Sequence, residues 1–181
     1  MSKLLIFPTD TVYGIGASVF DKDNIKRIYE IKHRPLDKPL AVLCSSLEQI
    51  ESICELNDSS RKLIKKYLPG ALTIIVPAKK NIEESMGLKM VGIRIPNHPL
   101  ALRILEENGP MATTSVNESG DKPINEYQEI VAKYKNVVDM IYSSDFKSSN
   151  ISSTVIMLDD HGVKLIREGE ISYEDILTCL S

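Results

Sequence analysis

Residues 4–16 read Leu4-Leu5-Ile6-Phe7-Pro8-Thr9-Asp10-Thr11-Val12-Tyr13-Gly14-Ile15-Gly16. Four apolar residues stop at a proline, and two threonines, an aspartate and two glycines follow. A short apolar run that ends in this way is typical of a buried strand. In α/β proteins the segment after a strand is a frequent place for ligand-binding groups. The stretch therefore predicts a strand that leads into a polar turn of a binding site, with a plain turn as the alternative.

Similar apolar runs recur along the chain and alternate with stretches of helical spacing. Eight strands are predicted, at residues 4–7, 40–44, 71–76, 91–95, 111–114, 137–142, 154–158 and 163–166. Five helices are predicted around residues 25–29, 47–54, 63–68, 101–105 and 176–180. Ser172 and Asp175 form a capping-box pattern before the last helix. The interleaving of strands and helices predicts one mixed α/β domain over residues 1–181.

Composition limits the class of protein. The chain has 181 residues, 43% hydrophobic and 26% charged, which is enough for one buried core. Its net charge of -3 argues against a surface coated with positive charge for nonspecific nucleic-acid binding. The apolar run that begins at Leu4 is too short for a signal peptide or a membrane span. We therefore expect a cytoplasmic protein without membrane contact.

The cysteines and histidines do not form a metal-binding pattern. Cys44, Cys54 and Cys179 lack the spacing of zinc sites, and Cys54 has the helical spacing of a buried thiol. The histidines lie beside proline, glycine or charged residues and are predicted in exposed loops: His33, His98 and His161. No metal bound by the protein itself is predicted.

A basic elbow spans residues 32–40, Lys32-His33-Arg34-Pro35-Leu36-Asp37-Lys38-Pro39-Leu40. Pro35 and Pro39 each fix one backbone torsion, so the flanking cations lose little entropy when they bind a ligand. A compact lysine charge and a forked guanidinium complement each other on a polyphosphate. A solvated charged loop is the alternative, but the spacing favours a phosphate site.

Polar groups at later strand ends are candidates for the same site. Residues 113–120 read Thr113-Thr114-Ser115-Val116-Asn117-Glu118-Ser119-Gly120, although a helix cap or an Asx turn explains this segment slightly better when it is taken alone. Arg94 lies inside an apolar run, where an arginine faces solvent at an edge or meets an anion. Ser153 begins a predicted strand and Arg167 follows one.

The sequence contains no Ser-His-Asp, HExxH or Walker A pattern. A covalent side-chain nucleophile is therefore not predicted. The serine-rich stretch at residues 143–150 has the composition of a mobile loop, and it is a candidate lid for an active site.

Seven elements, in order, resemble the YrdC-type threonylcarbamoyl-AMP synthase family. They are residues 8–16, the KxR element at Lys32 and Arg34 with residues 38–40, residues 69–73, residues 92–96, the SxN element at Ser115 and Asn117, residues 153–155, and Arg167 with Gly169. KxR or SxN alone is unspecific, whereas seven elements in the family's order over nearly the whole chain are not. Because the chain ends soon after Arg167, it resembles the short, single-domain form.

The resemblance implies a YrdC-like fold, a twisted mixed sheet with flanking helices and a concave basic cavity. It implies a nucleotidyltransferase that forms threonylcarbamoyl-AMP and pyrophosphate from L-threonine, bicarbonate and ATP, with Mg²⁺ carried by ATP. The product would pass to downstream tRNA-modification partners for threonylcarbamoyladenosine synthesis.

The same likeness implies roles for individual residues. Thr11, Arg94 and Ser153 match threonine-binding positions, and a second group matches positions around ATP: Arg34, Lys38, Asn117, Asn125 and Arg167. Lys32, Arg34 and Ser115 are the candidate catalytic residues, with Ser115 between the two ligands. The residue types suit the chemistry, because every reactant is anionic and cationic side chains reduce their repulsion.

Two other functions are open on the sequence alone. A YrdC-like paralogue that binds double-stranded RNA or tRNA, without threonine-dependent activity, would use the same basic surface for RNA contact. Net acidity, three phenylalanines and no tryptophan disfavour it. A carbamoyl-adenylate enzyme similar to the YrdC-like part of hydrogenase maturation proteins is disfavoured, because no acylphosphatase-like or zinc-finger-like segment accompanies the domain.

Overall fold

The computed structural model describes residues 2–159 and 162–181, so the predicted loop position of His161 lies outside the described residues. Within the described residues one nine-stranded sheet carries seven helices, which confirms the mixed α/β fold. The strands are β1 (Leu5–Phe7), β2 (Gly14–Ser18), β3 (Ala41–Leu43), β4 (Leu72–Pro77), β5 (Met90–Arg94), β6 (Met111–Ser115), β7 (Met140–Ile141), β8 (Thr154–Asp159) and β9 (Gly162–Arg167). The helices are α1 (Lys22–Ile31), α2 (Leu47–Ile53), α3 (Asp58–Tyr67), α4 (Lys80–Met86), α5 (Pro99–Asn108), α6 (Tyr127–Tyr134) and α7 (Tyr173–Leu180). No helix in the described part of the chain is long and apolar enough to cross a membrane.

The sheet is mixed, and its strands lie in the order β7-β1-β2-β6-β3-β5-β4-β8-β9. The pairs β1 with β7, β3 with β5 and β4 with β8 are parallel, and the remaining neighbours are antiparallel. This order places β6, near the middle of the sequence, between β2 and β3. The turn after β1, the elbow before β3 and the segment after β6 therefore meet on one part of the sheet.

All eight predicted strands form, although only Met140–Ile141 of the predicted 137–142 is paired. The ninth strand, β2, was not predicted because Gly14 and Gly16 are weak strand formers. The structure shows why glycine is needed: a Cβ at Gly16 would lie 2.6 Å from the Oγ1 atom of Thr113, its partner on β6. Helices α4 and α6 were also missed, because each buries only one or two side chains and has a short apolar stripe.

The two faces of the sheet are covered differently. Alternate strand residues on one face join the main core with helices α1, α2, α3, α6 and α7. The other face carries a smaller cluster in which Ala101, Ile104 and Leu105 of α5 pack on Phe7 and Met111. Helix α5 covers only one end of this face, so the rest of the face is free to form a site.

His98 is buried, so the prediction of an exposed loop was wrong for this residue. Its Nδ1 atom accepts a hydrogen bond from the Ala101 N–H at 3.4 Å and caps α5, and its ring packs edge-on against Phe146 at 4.7 Å between centroids. The capping role needs an acceptor, which a histidine ring nitrogen supplies as a serine oxygen would. Cys54 is buried as predicted.

Candidate active site

A cavity of about 460 Å³ lies on the open face of the sheet, beside the cluster under α5. Neighbouring strands contribute residues at alternate positions to its floor, which consists of Thr113, Ala41, Leu43, Gly92, Thr73, Ile75 and Val155. Because Gly92 has no side chain, nothing projects from this position of the floor into the cavity. A Cβ at Gly92 would lie 3.1 Å from Thr73 Cγ2. The flat, small-residue floor leaves room for a ligand between polar walls.

Seven of the ten predicted site residues line this cavity: Thr11, Arg34, Lys38, Arg94, Ser115, Ser153 and Arg167. The other three are Lys32, Asn117 and Asn125, which do not belong to the described lining. Each of these three hydrogen-bonds to a residue that does, as shown below. The fold therefore places seven of the predicted residues in the cavity lining and the other three in a layer that supports this lining.

Arg94 holds the turn at residues 9–11 against the cavity. Its Nη1 atom donates to Thr11 Oγ1 at 2.8 Å, Nη2 donates to Asp10 Oδ1 at 2.5 Å, and Nε donates to the Gly70 carbonyl oxygen at 2.9 Å. Burial lowers the pKa of Arg94, and the Asp10 carboxylate opposes this effect. A guanidinium has five N–H groups, so two remain without a partner among the described residues. These two are the donors that Arg94 has left for an anion such as a carboxylate.

The turn itself is built around the Thr9 hydroxyl. Thr9 Oγ1 donates to the Val12 carbonyl oxygen at 2.6 Å and accepts from the N–H groups of Thr11 and Val12, both at 3.2 Å. A threonine that closes such a turn explains the polar pattern after the first strand. The adjacent Tyr13 N–H donates to Asn125 Oδ1 at 3.0 Å, so Asn125 fixes the backbone where the turn enters β2.

A second wall rises from β8 and β9. Ser153 Oγ lies 2.9 Å from Thr73 Oγ1, and the Arg167 Nη2 atom donates to the Ser153 carbonyl oxygen at 2.8 Å. Thr154 Oγ1 accepts from the N–H groups of Gly169 and Ile171, at 2.9 and 3.1 Å. The chain after β9 is thereby bound closely to the start of β8, and Ser153 has a fixed position.

The elbow forms the third wall and is closed by one of its own cations. Arg34 Nε donates to the Lys38 carbonyl oxygen at 2.8 Å, and Nη2 donates to the Pro39 carbonyl oxygen at 3.1 Å. The side chain of Lys38 is exposed at the cavity mouth. Neither cation belongs to a described ion pair with a carboxylate. Their charges are therefore available to an anionic ligand.

Lys32 is buried beneath the end of β6, with 1% of its surface exposed. Its Nζ atom donates to the carbonyl oxygens of Ser115 at 2.5 Å and Asn117 at 2.6 Å, and to Asn117 Oδ1 at 3.1 Å. All three ammonium hydrogens therefore have acceptors. Burial, together with the neighbouring charge of Arg34, lowers the pKa of Lys32 to about 8. The geometry suits support of the Ser115–Asn117 segment rather than direct contact with a ligand in the cavity.

Asn117 links this support to the cavity lining. Its Oδ1 atom accepts from the Ser115 hydroxyl at 2.6 Å, and its Nδ2 atom donates to the carbonyl oxygens of Glu118 and Asp121 at 2.9 and 2.8 Å. The amide thus closes the loop through its Nδ2 donors. The alternative of an Asx turn or a helix cap was wrong, because Asn117 Oδ1 accepts from Lys32 and Ser115 and from no described backbone N–H. The Asn117 amide also orients the hydroxyl of Ser115, a residue of the described cavity lining.

Other lining residues were not singled out as site residues from the sequence. Thr73 and Ser152 are the polar examples, and Tyr13 adds a ring. The sequence pattern that could have identified Thr73 is its position two residues before Ile75 in a predicted strand, because residues two apart lie on the same face of a sheet. For Ser152 the sequence carried no signal, because its position depends on how the chain enters β8.

The donor set does not form a metal centre of the protein's own. No group of three or more histidine, cysteine, aspartate or glutamate side chains suitable for a metal occurs within the described ranges. Asp37 is the one carboxylate residue in the described cavity lining. The described cavity lining is rich in cationic and hydroxyl side chains.

Comparisons with known proteins match this sequence and this fold. The family model Sua5_yciO_yrdC, described as Telomere recombination, matches residues 1–169. A Pyrococcus abyssi protein named threonylcarbamoyl-AMP synthase is 34% identical over 178 residues, covering 96% of this chain and 52% of its own length. A Methanocaldococcus jannaschii protein named putative threonylcarbamoyl-AMP synthase is 33% identical, covering 98% of this chain and 84% of its own length. The chain thus spans about half of the first relative and most of the second.

Solved structures agree with the sequence matches. The P. abyssi Sua5 structure complexed with L-threonine superposes with a TM-score of 0.91 at 33% identity, over 98% of this chain and 53% of that one. The structure of E. coli YciO gives a TM-score of 0.87 at 26% identity, over 97% of this chain and 87% of that one. Fold, family model and relatives coincide over nearly all of the residues, and the chain belongs to the Sua5/YciO/YrdC family.

Proposed function

We propose that the protein is an L-threonylcarbamoyladenylate synthase, which forms threonylcarbamoyl-AMP and pyrophosphate from L-threonine, bicarbonate and ATP. The observation that supports this most is the composition of one cavity. Arg94 offers two spare N–H groups beside Thr11 at one end, and Arg34 and Lys38 offer charges without a described carboxylate partner at the other. Relatives named threonylcarbamoyl-AMP synthase, and a relative solved with L-threonine, point the same way.

In this proposal the two ends of the cavity bind different anions. Arg94, Thr11 and Ser153 hold the amino acid, with the guanidinium on its carboxylate. Arg34, Lys38 and Arg167 hold the triphosphate and then stabilise the leaving pyrophosphate, and Asn117 and Asn125 support the walls around the nucleotide.

In the first step the amine of L-threonine condenses with bicarbonate, so that a carbamate forms and water is released. Ser115 lies between the two ends, where its hydroxyl meets this carbamate as one of the carbamate oxygens attacks the α-phosphorus. The P–O bond to pyrophosphate breaks in the same step, and its electron pair leaves with pyrophosphate. No side chain becomes covalently bonded to a reactant. Catalysis on this scheme comes from alignment and from the electrostatic field of fixed cations, with Lys32 acting through the Ser115–Asn117 segment.

We propose further that Mg²⁺ enters with ATP. One carboxylate in the described lining, Asp37, fits an ion that is coordinated mainly by phosphate oxygens and water. When bound, the ion would add positive charge on the phosphates. Bicarbonate as carbon source, downstream tRNA-modification partners and a cytoplasmic location complete the proposal, since ATP and tRNA are intracellular.

The direct test is pyrophosphate release from ATP and bicarbonate with magnesium, with and without L-threonine, and with L-serine as the control amino acid. We expect threonine-dependent release and a product with the mass of threonylcarbamoyl-AMP. Release that is absent or independent of threonine, from a protein that still binds ATP, would contradict the proposal. A double-stranded RNA-binding function, for which the cavity offers no specific support, would then be tested by its salt-dependent affinity for duplex RNA.

A further inference from the structure

Residues 148–150, part of the serine-rich stretch, run along the turn at residues 9–11, and we call them the strap. The strap donates one hydrogen bond to each of three consecutive carbonyl oxygens of the turn: Ser148 Oγ to Thr9 at 2.6 Å, Ser149 N–H to Asp10 at 2.8 Å, and Asn150 N–H to Thr11 at 2.9 Å. None of residues 143–150, all of which are described, belongs to the cavity lining. In this structure the stretch therefore braces a wall of the cavity and does not cover its mouth.

The strap is also tied to the opposite wall. The Ser149 hydroxyl donates to Glu170 Oε2 at 2.6 Å and accepts from the Ile151 N–H at 3.3 Å, and both Ser149 and Glu170 are exposed. Glu170 follows Gly169 in the segment that Thr154 binds, and the Glu170 N–H donates to the Ser152 carbonyl oxygen at 3.2 Å. Ser149 therefore contacts the first wall through its backbone and the second wall through its side chain.

We propose that Ser149 is a positioning residue that fixes the separation of the two walls at the amino-acid end of the cavity. Thr11 and Arg94 stand on one wall and Ser153 stands on the other, so a ligand that touches both needs a set distance between them. The inference rests on the proposed function, because it assigns the affected end to the amino acid.

The effect is selective because the elbow is held separately. Arg34 closes the elbow through the carbonyl oxygens of Lys38 and Pro39, and no described hydrogen bond joins the strap to it. Loss of the Ser149 hydroxyl therefore loosens the amino-acid end and leaves Arg34 and Lys38, the two elbow cations assigned to the triphosphate, in place.

The test compares Michaelis constants of three single variants in the pyrophosphate-release assay. Ser149→Ala should raise the KM for L-threonine about fivefold, the size of an ordinary net hydrogen bond, because the bond to Glu170 is exposed to solvent; the KM for ATP should stay within about twofold of wild type. Ser149→Thr keeps the hydroxyl and should restore the wild-type KM. Ser143→Ala is the matched control, because Ser143 lies in the same stretch and its side chain makes no hydrogen bond within the described residues.

A double-variant cycle identifies the partner. Glu170→Ala should raise the threonine KM as Ser149→Ala does, and the double variant should add little to either. An unchanged threonine KM in Ser149→Ala, or equal rises for threonine and ATP, would contradict the positioning role while leaving the proposed function intact. A wild-type protein that releases no pyrophosphate with threonine would contradict the proposed function, and the inference with it.

Discussion

At the scale of single residues, Arg94 determines how the cavity wall at residues 9–11 is built. It joins Asp10, Thr11 and Gly70, which belong to two different segments, and still keeps two N–H groups for a ligand. Replacement by alanine would leave the carboxylate of Asp10 half-buried and unpaired, so stability and binding would change together. Lysine is the better probe, because it retains the charge and removes the fork.

Arg94→Lys should raise the KM for L-threonine by about tenfold or more, with a much smaller change for ATP, because one ammonium cannot make a two-point contact with a carboxylate. Initial rates of pyrophosphate release at varied threonine and ATP measure the two constants. Arg34→Ala is the reciprocal control and should raise the KM for ATP or lower turnover. If Arg94→Lys changed the KM for L-threonine and the KM for ATP equally, the assignment of Arg94 to threonine binding would be wrong.

Lys32 should make stability depend on pH in the alkaline range. Its pKa falls from 10.5 in the unfolded chain to about 8 in the folded protein, so the folded state loses the proton first. Between these two pH values the unfolded chain holds a proton on Lys32 that the folded protein has lost, so the free energy of unfolding rises with pH. This gain in stability is complete above about pH 10.5 and is lost as the pH falls through about 8.

The measurement is the free energy of unfolding in urea for wild type and Lys32→Met between pH 7.5 and 10.5. Methionine titrates in neither state, so the difference between the two proteins isolates Lys32. Wild type should gain about 3 kcal/mol relative to Lys32→Met as the pH rises over this window. A difference that is flat with pH would show that the buried ammonium keeps an ordinary pKa.

At the scale of elements, the join between β8 and the chain after β9 depends on one close approach. A Cβ on Gly169 would overlap the Ser152 carbonyl oxygen and would lie 2.7 Å from the Thr154 nitrogen. These are backbone atoms, which cannot rotate away as a side chain does.

Gly169→Ala should therefore cost about 3 kcal/mol of stability and raise the threonine KM, because the strand start that carries Ser153 must move. Gly87→Ala is the matched control: Gly87 has φ of 71° and open space around it, so alanine there costs only about 1 kcal/mol of backbone strain. Urea unfolding of both variants gives the comparison. If both variants lost the same free energy of unfolding, the backbone at residues 168–171 would be able to move away from a Cβ on residue 169 without a cost in stability.

The elements also show what could be predicted from the sequence. Apolar runs located eight strands, because β-branched residues that alternate or cluster are visible without tertiary information. Strand β2 was not predicted, because the reason for its glycines is the close approach of the Thr113 side chain on the neighbouring strand, which the sequence does not show. Likewise the charge of Lys32 is visible in the sequence, but its burial depends on three acceptors supplied by a segment more than eighty residues away. Seven of the ten predicted site residues line the described cavity, because polar groups beside strand ends converge on one face.

At the scale of the whole molecule, both core clusters share one sheet. The main cluster and the cluster under α5 are formed by alternate residues of the same strands, such as Ile6 and Phe7 of β1. Neither cluster can persist when the sheet is lost.

Residues 1–181 should therefore unfold in one cooperative step. Circular dichroism reports the helices and the sheet. Tyrosine fluorescence reports the packing of rings such as Tyr13 and Tyr134, because the chain has seven tyrosines and no tryptophan to mask their emission. The two signals should give the same midpoint in urea. Separate midpoints would indicate two domains and would contradict the single-domain prediction.

The order of the strands has a consequence for synthesis on the ribosome. The cavity takes one wall from the turn at residues 9–11 and the opposite wall from Ser153 and Arg167, and the sheet that separates them has β9 at its edge. A nascent chain can pair β1 with β2 early, but it has no second wall until Arg167 has been translated and has left the exit tunnel. A growing chain therefore has no complete cavity before Arg167 has emerged, and until then it lacks the two walls that would hold a ligand between them.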